Sequence, residues 1–240
     1  MPIQTVEPQR LYRQIAEQLR QLMASGEFAV GSRLPAERDL ALQLGVSRPS
    51  VREALIALEV EGMIEVRTGS GIYVQSTAKP KARKTPAQAD SSAEWGPLEV
   101  MSARILVESE VAALAAQNAQ KKDIKAIRAG LQQMKQEAAR HEMPRTGDEA
   151  FHEAIAQACG NSVLLDTVQR FWLARKGPLF ERLGDYFEHP ESWQAAIAEH
   201  QAVFDAIEAH DAPAARKAMQ KHLKQAHKRY SASWRRAPAR

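Results

Sequence analysis

Asp148 and His152 are the pair of residues in this chain best placed to bind one ion together. They stand four residues apart in the segment GDEAFHEAIAQACGN, a spacing that puts both side chains on one face of a helix. His200 and His222 follow on two later predicted helices, each beside apolar residues of a core stripe. One carboxylate and three imidazoles inside a helical bundle form a site suited to Zn²⁺, Ni²⁺ or Mn²⁺. Open positions on such an ion would bind a carboxylate ligand.

Each of these histidines also has a simpler interpretation. The chain contains seven histidines, and one histidine per helix is commonplace, so any single one is readily explained as a surface residue or a hydrogen-bonded core residue. We assign the other four to that class, namely His141, His189, His210 and His227. The sequence therefore predicts a metal site but leaves the structural alternative open.

Two arginines near the N-terminus could contact nucleic acid. Arg48 and Arg52 lie on a helix whose apolar stripe is formed by Val51, Leu55 and Leu58. Because residues advance by about 100° each, the two guanidinium groups should project within roughly 40° of one another, away from that stripe. An arginine at the start of a recognition helix can bond to guanine in the major groove. The prediction requires both guanidinium groups to stand clear of the protein, and the alternative is that they only solvate a helix face.

Three further residues extend this predicted DNA contact surface. Ser50 is short enough to bond to a base edge or a phosphate, and Arg38 on the preceding helix would lie over the DNA backbone. Gly69, in the turn TGSG, would let a hairpin approach a groove closely.

The elements that must position these arginines are short. A first helix is predicted from the helical spacing of Leu11, Ile15, Leu19 and Leu22 until Gly26; a second begins at Pro35 and ends at Gly45. Ser47 is the predicted N-cap of a third helix, which Gly62 ends. The runs IEVR and IYV then predict a hairpin. Helix, helix-turn-helix and hairpin in this order predict a winged helix over residues 1–78.

A solvated linker is predicted over residues 79–93, where KPKARKTPAQADSSA combines two prolines and four basic residues without apolar periodicity. Residues 94–230 predict an all-α effector-binding and dimerisation domain of about six helices, over 98–118, 122–140, 147–159, 162–183, 191–209 and 212–230. A basic tail is predicted over 231–240. The fold class is thus mainly α, with one small hairpin.

Composition narrows the class of protein without identifying it. The 240 residues are 44% hydrophobic and 26% charged, which excludes disordered and fibrous proteins. Cys159 is the one cysteine, the N-terminus lacks a secretory pattern, and no apolar run approaches the roughly 20 residues of a membrane span, so we expect a cytoplasmic protein. The formal charge of +4 permits a nucleic-acid partner, but residues 1–75 hold eight basic and nine acidic residues. Placement of the arginines, rather than bulk charge, carries the DNA prediction.

Residues 26–75 resemble the winged helix of the GntR regulators. They contain LPAERDLA, then GVSRPSVREAL, then the wing glycines, in a dense and ungapped match to the family pattern. The resemblance implies that Arg38, Arg48, Ser50, Arg52 and Gly69 occupy family positions that touch operator DNA. Pro49 departs from the Thr or Ser usual at its position, which puts a hydrogen bond from that side chain in doubt.

Residues 98–230 resemble the C-terminal domain of the FadR-type members, the FCD domain. In that domain D-x-x-x-H, a later E-H and a final H supply the metal ligands, and Asp148, His152, His200 and His222 match them one by one. The resemblance also assigns Arg104 to the carboxylate of an effector. The alternative for Arg104 is an ion pair with Glu108 one turn later.

Within this group the chain is similar to hexuronate-responsive repressors, through GPLEVMSARILVE and the segment FWLARKGPLF. Arg175 could clamp a sugar acid and Trp172 could contact its ring, although Trp172 is equally consistent with a core residue. Lactate, glycolate or a dicarboxylate are alternative effectors.

We expect a homodimer on a palindromic operator, released by the effector. The rival classes are a metal-dependent hydrolase and a DNA-architectural protein without an effector.

Overall fold

The structure, a computed structural model, describes residues 10–77 and 95–231. The predicted linker 79–93 and nearly all of the predicted basic tail lie outside these residues, so both stay predictions. The described elements, in chain order, are α1 (Leu11–Ala24), α2 (Glu37–Leu44), α3 (Arg48–Val60), β1 (Ile64–Arg67), β2 (Gly71–Val74), α4 (Pro97–Asn118), α5 (Lys121–Ala139), α6 (Arg145–Ala158), α7 (Ser162–Arg175), α8 (Pro178–Phe187), α9 (Pro190–Glu208) and α10 (Ala212–Tyr230). The predicted fold class, mainly α with one small hairpin, is confirmed.

Local sequence explains the tight turn between α2 and α3. Gly45 follows α2 with φ of 65°, a left-handed conformation that glycine adopts without strain. The Ser47 side chain then accepts a hydrogen bond from the backbone N–H of Ser50 and caps α3. Pro35 lies just before α2, whose N-cap is Ala36. The predicted helix-turn-helix is therefore present. Its leading helix, α2, starts two residues later than expected.

The wing is a two-stranded antiparallel hairpin, in which Ile64 pairs with Val74 and Arg67 pairs with Gly71. Gly69 occupies the turn with φ of 78°, so the turn needs a residue without a Cβ atom. Val51, Leu55 and Leu58 of α3 are fully buried, as the predicted stripe requires. Burial of this stripe fixes the rotation of α3 and therefore the side from which Arg48 emerges.

The C-terminal part consists of α4 to α10. One prediction here is wrong: the segment 162–183 is not a single helix but is divided into α7 and α8. Gly177 and Pro178 stand at the break, and a proline inside a helix loses a backbone hydrogen bond and collides with the preceding turn. Among the described residues, no helix is long and apolar enough to cross a membrane.

Candidate functional site

Four ligand atoms converge in the helical core of the C-terminal part. One ligand atom from each of Asp148, His152, His200 and His222 lies within 4.8 Å of the others, and all four residues are buried. The Oδ1 atom of Asp148 lies 2.9 Å from Nε2 of His200 and 3.6 Å from Nε2 of His152. The two Nε2 atoms are 3.2 Å apart. The structure thus brings together all four residues that the sequence predicted as ligands.

Each imidazole is oriented by a partner on its other nitrogen. The Nδ1 atom of His152 lies 2.5 Å from a carboxylate oxygen of Glu108, and Nδ1 of His222 lies 2.8 Å from Glu199. Nδ1 of His200 lies 2.6 Å from the carbonyl oxygen of Ala196. For His152 and His222 these acceptors favour the tautomer that carries its proton on Nδ1, which leaves Nε2 with a free lone pair; the Nε2 atom of His200 lies beside the Asp148 carboxylate.

Two glycines let α5 and α6 approach closely enough to place Asp148 and His152. A Cβ atom at Gly130 would lie 2.7 Å from the backbone nitrogen of Phe151, and one at Gly147 would collide with the backbone nitrogen of Met134. The backbone N–H of Gly147 also donates to the buried carboxylate of Glu137 at 3.1 Å. Close backbone contact therefore sets the position of the helix turn that carries the first two ligands.

Burial and neighbouring charges set the protonation states of this cluster. Burial lowers the pKa of His152, and burial together with the proximity of His200 lowers the pKa of His222 to about 3. Burial alone would raise the pKa of Asp148, but its hydrogen bond with His200 and the charge of Arg175 hold that pKa well below its usual value. At neutral pH Asp148 is therefore ionised, and His152 and His222 are neutral, which are the forms that ligate metals.

The donor set fits a divalent transition metal. Three imidazole nitrogens and one carboxylate oxygen suit Zn²⁺, Ni²⁺ or Mn²⁺. Ligands bound at about 2.0–2.2 Å from one ion lie roughly 3 Å from each other, the scale of the separations between these atoms. Because the three Nε2 atoms and Asp148 face one point, the residues present could hold such an ion.

A cavity of about 40 Å³ adjoins this cluster and has room for a few water molecules. Asp148, His200 and His222 form part of its wall, and the remaining lining residues are Arg104, Arg175, Phe187, Glu188, Ser192, Trp193, Ala196, Ala226, Arg229 and Tyr230. Three arginines thus surround a space beside the candidate ion. An arrangement of this kind suits an anionic ligand.

The three residues predicted to bind an effector lie together. Trp172 is buried between two cations, with the guanidinium carbons of Arg104 and Arg175 at 4.7 and 4.4 Å from its ring. Arg104 also forms the alternative contact considered from the sequence, because its Nε atom donates to Glu108 at 2.5 Å. Arg175 donates to Asp148 at 3.3 Å. Both arginines line the cavity. Trp172 is not part of the cavity wall and contacts both guanidinium groups with its ring.

The winged helix presents a groove of about 280 Å³ between α2, α3 and the wing. Its basic residues are Arg33, Arg38, Arg48 and Arg67, and Gly69 lies at its wing side. The side chain of Arg38 is 76% exposed and that of Arg48 is 49% exposed, so both can reach a partner. Ser50 is half-buried, and its hydroxyl lies 2.9 Å from that of Ser47. Four of the five predicted contact residues are therefore accessible.

Arg52 contradicts the prediction that it projects outward. Its side chain is 1% exposed and forms a bidentate ion pair with Glu37, with Nη2 at 2.8 and 2.7 Å from the two carboxylate oxygens. Glu37 lies 15 residues earlier, on α2, and also binds Nε of Arg48 at 2.9 Å. Buried carboxylates need a charged partner, and Arg52 supplies it. The paired projection of Arg48 and Arg52 is therefore wrong, and Arg52 joins α2 to α3 in this structure.

Sequence reasoning missed several residues around both sites. Arg33 and Arg67 flank the groove of the winged helix, and the runs that contain them gave no signal beyond charge. Glu199 directly precedes His200, so the pair Glu-His was visible in the sequence, but its contact with His222 on α10 was not. Trp193 also lines the cavity, but the sequence gives no signal for this, because a single helical aromatic most often belongs to the core.

Comparison with known proteins covers both parts of the chain. Residues 11–74 match the family described as "Bacterial regulatory proteins, gntR family", and residues 99–225 match the family described as "FCD domain".

Curated relatives match along almost the whole length. The "Exu regulon transcriptional regulator" of Escherichia coli (strain K12) is 36% identical over 224 residues, which span 92% of this chain and 84% of the relative. The "Uxu operon transcriptional regulator" of the same organism is 36% identical over 218 residues, or 90% of this chain and 84% of the relative. A third relative, also from that organism, has a name that refers to an L-lactate dehydrogenase operon; it is 35% identical over 234 residues, spanning 92% of this chain and 87% of the relative.

Proposed function

Since the chain belongs to the GntR family of DNA-binding transcriptional regulators and carries an FCD domain, we propose that a divalent metal in its C-terminal domain anchors an acidic effector. Binding of that effector then changes the affinity of the winged helix for operator DNA. The observation that carries the proposal is the convergence of Asp148, His152, His200 and His222, with each imidazole held by a separate acceptor. Buried imidazoles aimed at one point, beside an arginine-lined cavity, suit a metal that binds a carboxylate.

The ion we propose is Zn²⁺, with Ni²⁺ or Mn²⁺ as alternatives. Asp148, His152, His200 and His222 would hold it, and as a Lewis acid it would attract a carboxylate oxygen of the effector. Arg104 and Arg175 face the same cavity and would compensate the remaining negative charge. Their stacking on Trp172 holds both guanidinium groups in place.

The effector we propose is a hexuronate. Support comes from the resemblance to hexuronate-responsive repressors and from the polar wall of the cavity, where the oxygen atoms of Glu188 and Tyr230 could each accept a further hydrogen bond from a hydroxyl group. A cavity of about 40 Å³ is smaller than a six-carbon acid needs, so its walls must move apart when the effector enters. An effector that binds only the widened form shifts the protein toward that form.

For the DNA-binding half, we propose that Arg48 reads base edges while Arg38 contacts phosphate. Both arginines border the groove of the winged helix and are exposed. Ser50 and Gly69 complete this surface, and Arg52 acts by holding Glu37. One short recognition helix gives little affinity by itself, so two copies on a palindromic operator are expected. The effector would release the DNA through a coupling free energy of about 1–3 kcal/mol.

Metal analysis and calorimetry test this proposal together. Purified protein should contain about one divalent ion per chain, and metal-loaded protein should bind galacturonate or glucuronate in preference to L-lactate. Replacing His200 with alanine should abolish both metal retention and uronate binding, since a buried ligand is lost. His227→Ala is the matched control, because His227 lies outside the cluster. Uronate binding by chelator-treated, metal-free protein with unchanged affinity would contradict the proposal.

A further inference from the structure

Trp193 contains a buried hydrogen-bond donor that nothing described in the structure accepts. The residue is 6% exposed, and its indole Nε1 atom has no hydrogen-bond partner among the described residues. Buried polar atoms in native proteins are nearly always paired with protein, water or ligand. Trp193 also lines the cavity beside the proposed metal site, where a ligand could accept a hydrogen bond from this donor.

The start of α9 holds Trp193 in position. His189 and Ser192 form a reciprocal cap, in which Nδ1 of His189 accepts from the backbone N–H of Ser192 at 3.2 Å and the Ser192 hydroxyl lies close to the His189 backbone. Pro190 occupies the first turn and fixes its backbone angle. The cap therefore fixes the backbone of the helix turn that carries Trp193.

Other polar groups of the cavity already have partners. The Tyr230 hydroxyl donates to Glu188 at 2.5 Å, and Arg229 donates to Glu199 at 3.0 Å. The Ser192 hydroxyl donates to the carbonyl oxygen of His189 at 2.8 Å. Unlike these groups, the indole N–H of Trp193 has no acceptor among the described residues.

The distance from the metal cluster limits the size of the ligand. Trp193, Ala196 and His200 share one face of α9, so Trp193 lies two helical turns, roughly 10 Å along the axis, before a metal ligand. A molecule that reaches both the ion and the indole must extend over several bonds.

We propose that the Trp193 indole N–H donates a hydrogen bond to a hydroxyl or ring oxygen of the effector, and so selects extended, oxygen-rich acids over short or unsubstituted carboxylates. The inference rests on the proposed function, because it presupposes that an acid occupies this cavity. A site with a buried donor that has no acceptor in the protein discriminates against ligands that lack a matching acceptor, because the donor then stays unpaired.

Calorimetry on metal-loaded full-length protein tests the proposal with Trp193→Phe, which keeps the ring and removes the N–H. The dissociation constant for galacturonate or glucuronate should rise about tenfold, as expected for one lost hydrogen bond to a buried donor. The dissociation constant for hexanoate, which is about as long as a uronate but carries no hydroxyl or ring oxygen, should change less than about twofold. Trp95→Phe, a half-buried residue outside the cavity, should change neither. Retained metal content establishes that the Trp193→Phe variant is folded at this site.

A second readout follows the donor itself. In protein labelled with ¹⁵N-tryptophan, a uronate should shift one indole N–H resonance that is missing from the spectrum of Trp193→Phe. Equal uronate affinity of wild type and Trp193→Phe, or an equal loss of affinity for both probes, would overturn the role of the N–H while the proposed function stands. Failure of wild-type protein to bind any uronate would overturn the proposed function, and this inference with it.

Discussion

The Nδ1 atom of His152 lies 2.5 Å from a carboxylate oxygen of Glu108, and both side chains are buried. The same carboxylate pairs with Arg104, which lines the cavity. Glu108 therefore connects a proposed metal ligand to a proposed effector-binding residue. Burial alone would raise the pKa of Glu108, but the charge of Arg104 and the hydrogen bond with His152 lower it, so the carboxylate stays ionised at neutral pH.

Replacing Glu108 with glutamine should weaken metal binding by about 10- to 100-fold, the usual effect of losing an outer partner of a metal-bound histidine. The neutral amide orients His152 less firmly and makes its Nε2 atom less basic. Competition with a chromophoric chelator measures the change. Glu110→Gln is the control, because Glu110 is exposed on the same helix and pairs with Arg216. An unchanged metal affinity in Glu108→Gln would show that the contact has no orienting role.

Gly130→Ala tests the close contact between α5 and α6. Alanine in place of glycine usually stabilises a helix by about 0.5–1 kcal/mol, but here the added Cβ would lie 2.7 Å from the backbone of Phe151. We expect the free energy of unfolding to fall by about 1–3 kcal/mol, with weaker metal binding, because α6 must move away. Urea denaturation provides the measurement, and Gln132→Ala on the exposed face of α5 serves as the control. A stabilised Gly130→Ala protein would refute the proposed packing constraint.

Arg52→Ala should lower the free energy of unfolding by about 3 kcal/mol, because removing one partner of a buried ion pair leaves the other charge without compensation. Glu37 is that partner. Arg170→Ala, which breaks the exposed pair with Asp166, should change stability by less than about 1 kcal/mol. Chemical denaturation compares the two variants. If Arg52→Ala unfolds at the wild-type denaturant concentration and only loses DNA affinity, the outward orientation predicted from the sequence is correct after all.

Arg48 and Arg38 should affect DNA binding in different ways. Arg48→Ala should reduce discrimination against single-base changes by about 1–3 kcal/mol, because a base contact is lost. Arg38→Ala should weaken binding to all sequences and lower the slope of log K against log salt by about one, because a phosphate contact is lost. Fluorescence anisotropy with a duplex selected from random-sequence DNA resolves both effects. Arg140→Ala, exposed in the C-terminal part and paired with Glu142, should leave binding unchanged.

The successes and failures of the sequence predictions have one physical explanation. Spacing within a helix placed Asp148 and His152 on one face, and capping residues located the turn at Gly45 and Ser47. The orientation of Arg52 depends instead on Glu37, a carboxylate on another helix that spacing along α3 does not report. The angular position of a residue on a helix thus predicts the face on which it lies. A buried partner on another element can nevertheless turn its side chain inward.

Contacts between distant helices explain the remaining gaps. His222 meets Glu199 only because α9 and α10 pack side by side, and Trp193 reaches the cavity only through the rotation of α9. The break at Gly177 and Pro178 is a different case, because the Gly-Pro pair was visible in the sequence and local rules would have placed the helix end there.

The proposed regulation requires that the C-terminal cavity be coupled to the winged helix. Its most direct test is to titrate the selected DNA duplex with metal-loaded protein, with and without saturating hexuronate, and to repeat the titration with His200→Ala. We predict that the hexuronate weakens DNA binding by about 5- to 150-fold for wild type and leaves the affinity of His200→Ala unchanged. Equal DNA affinity of the wild-type protein in the presence and absence of every uronate tested would contradict the account.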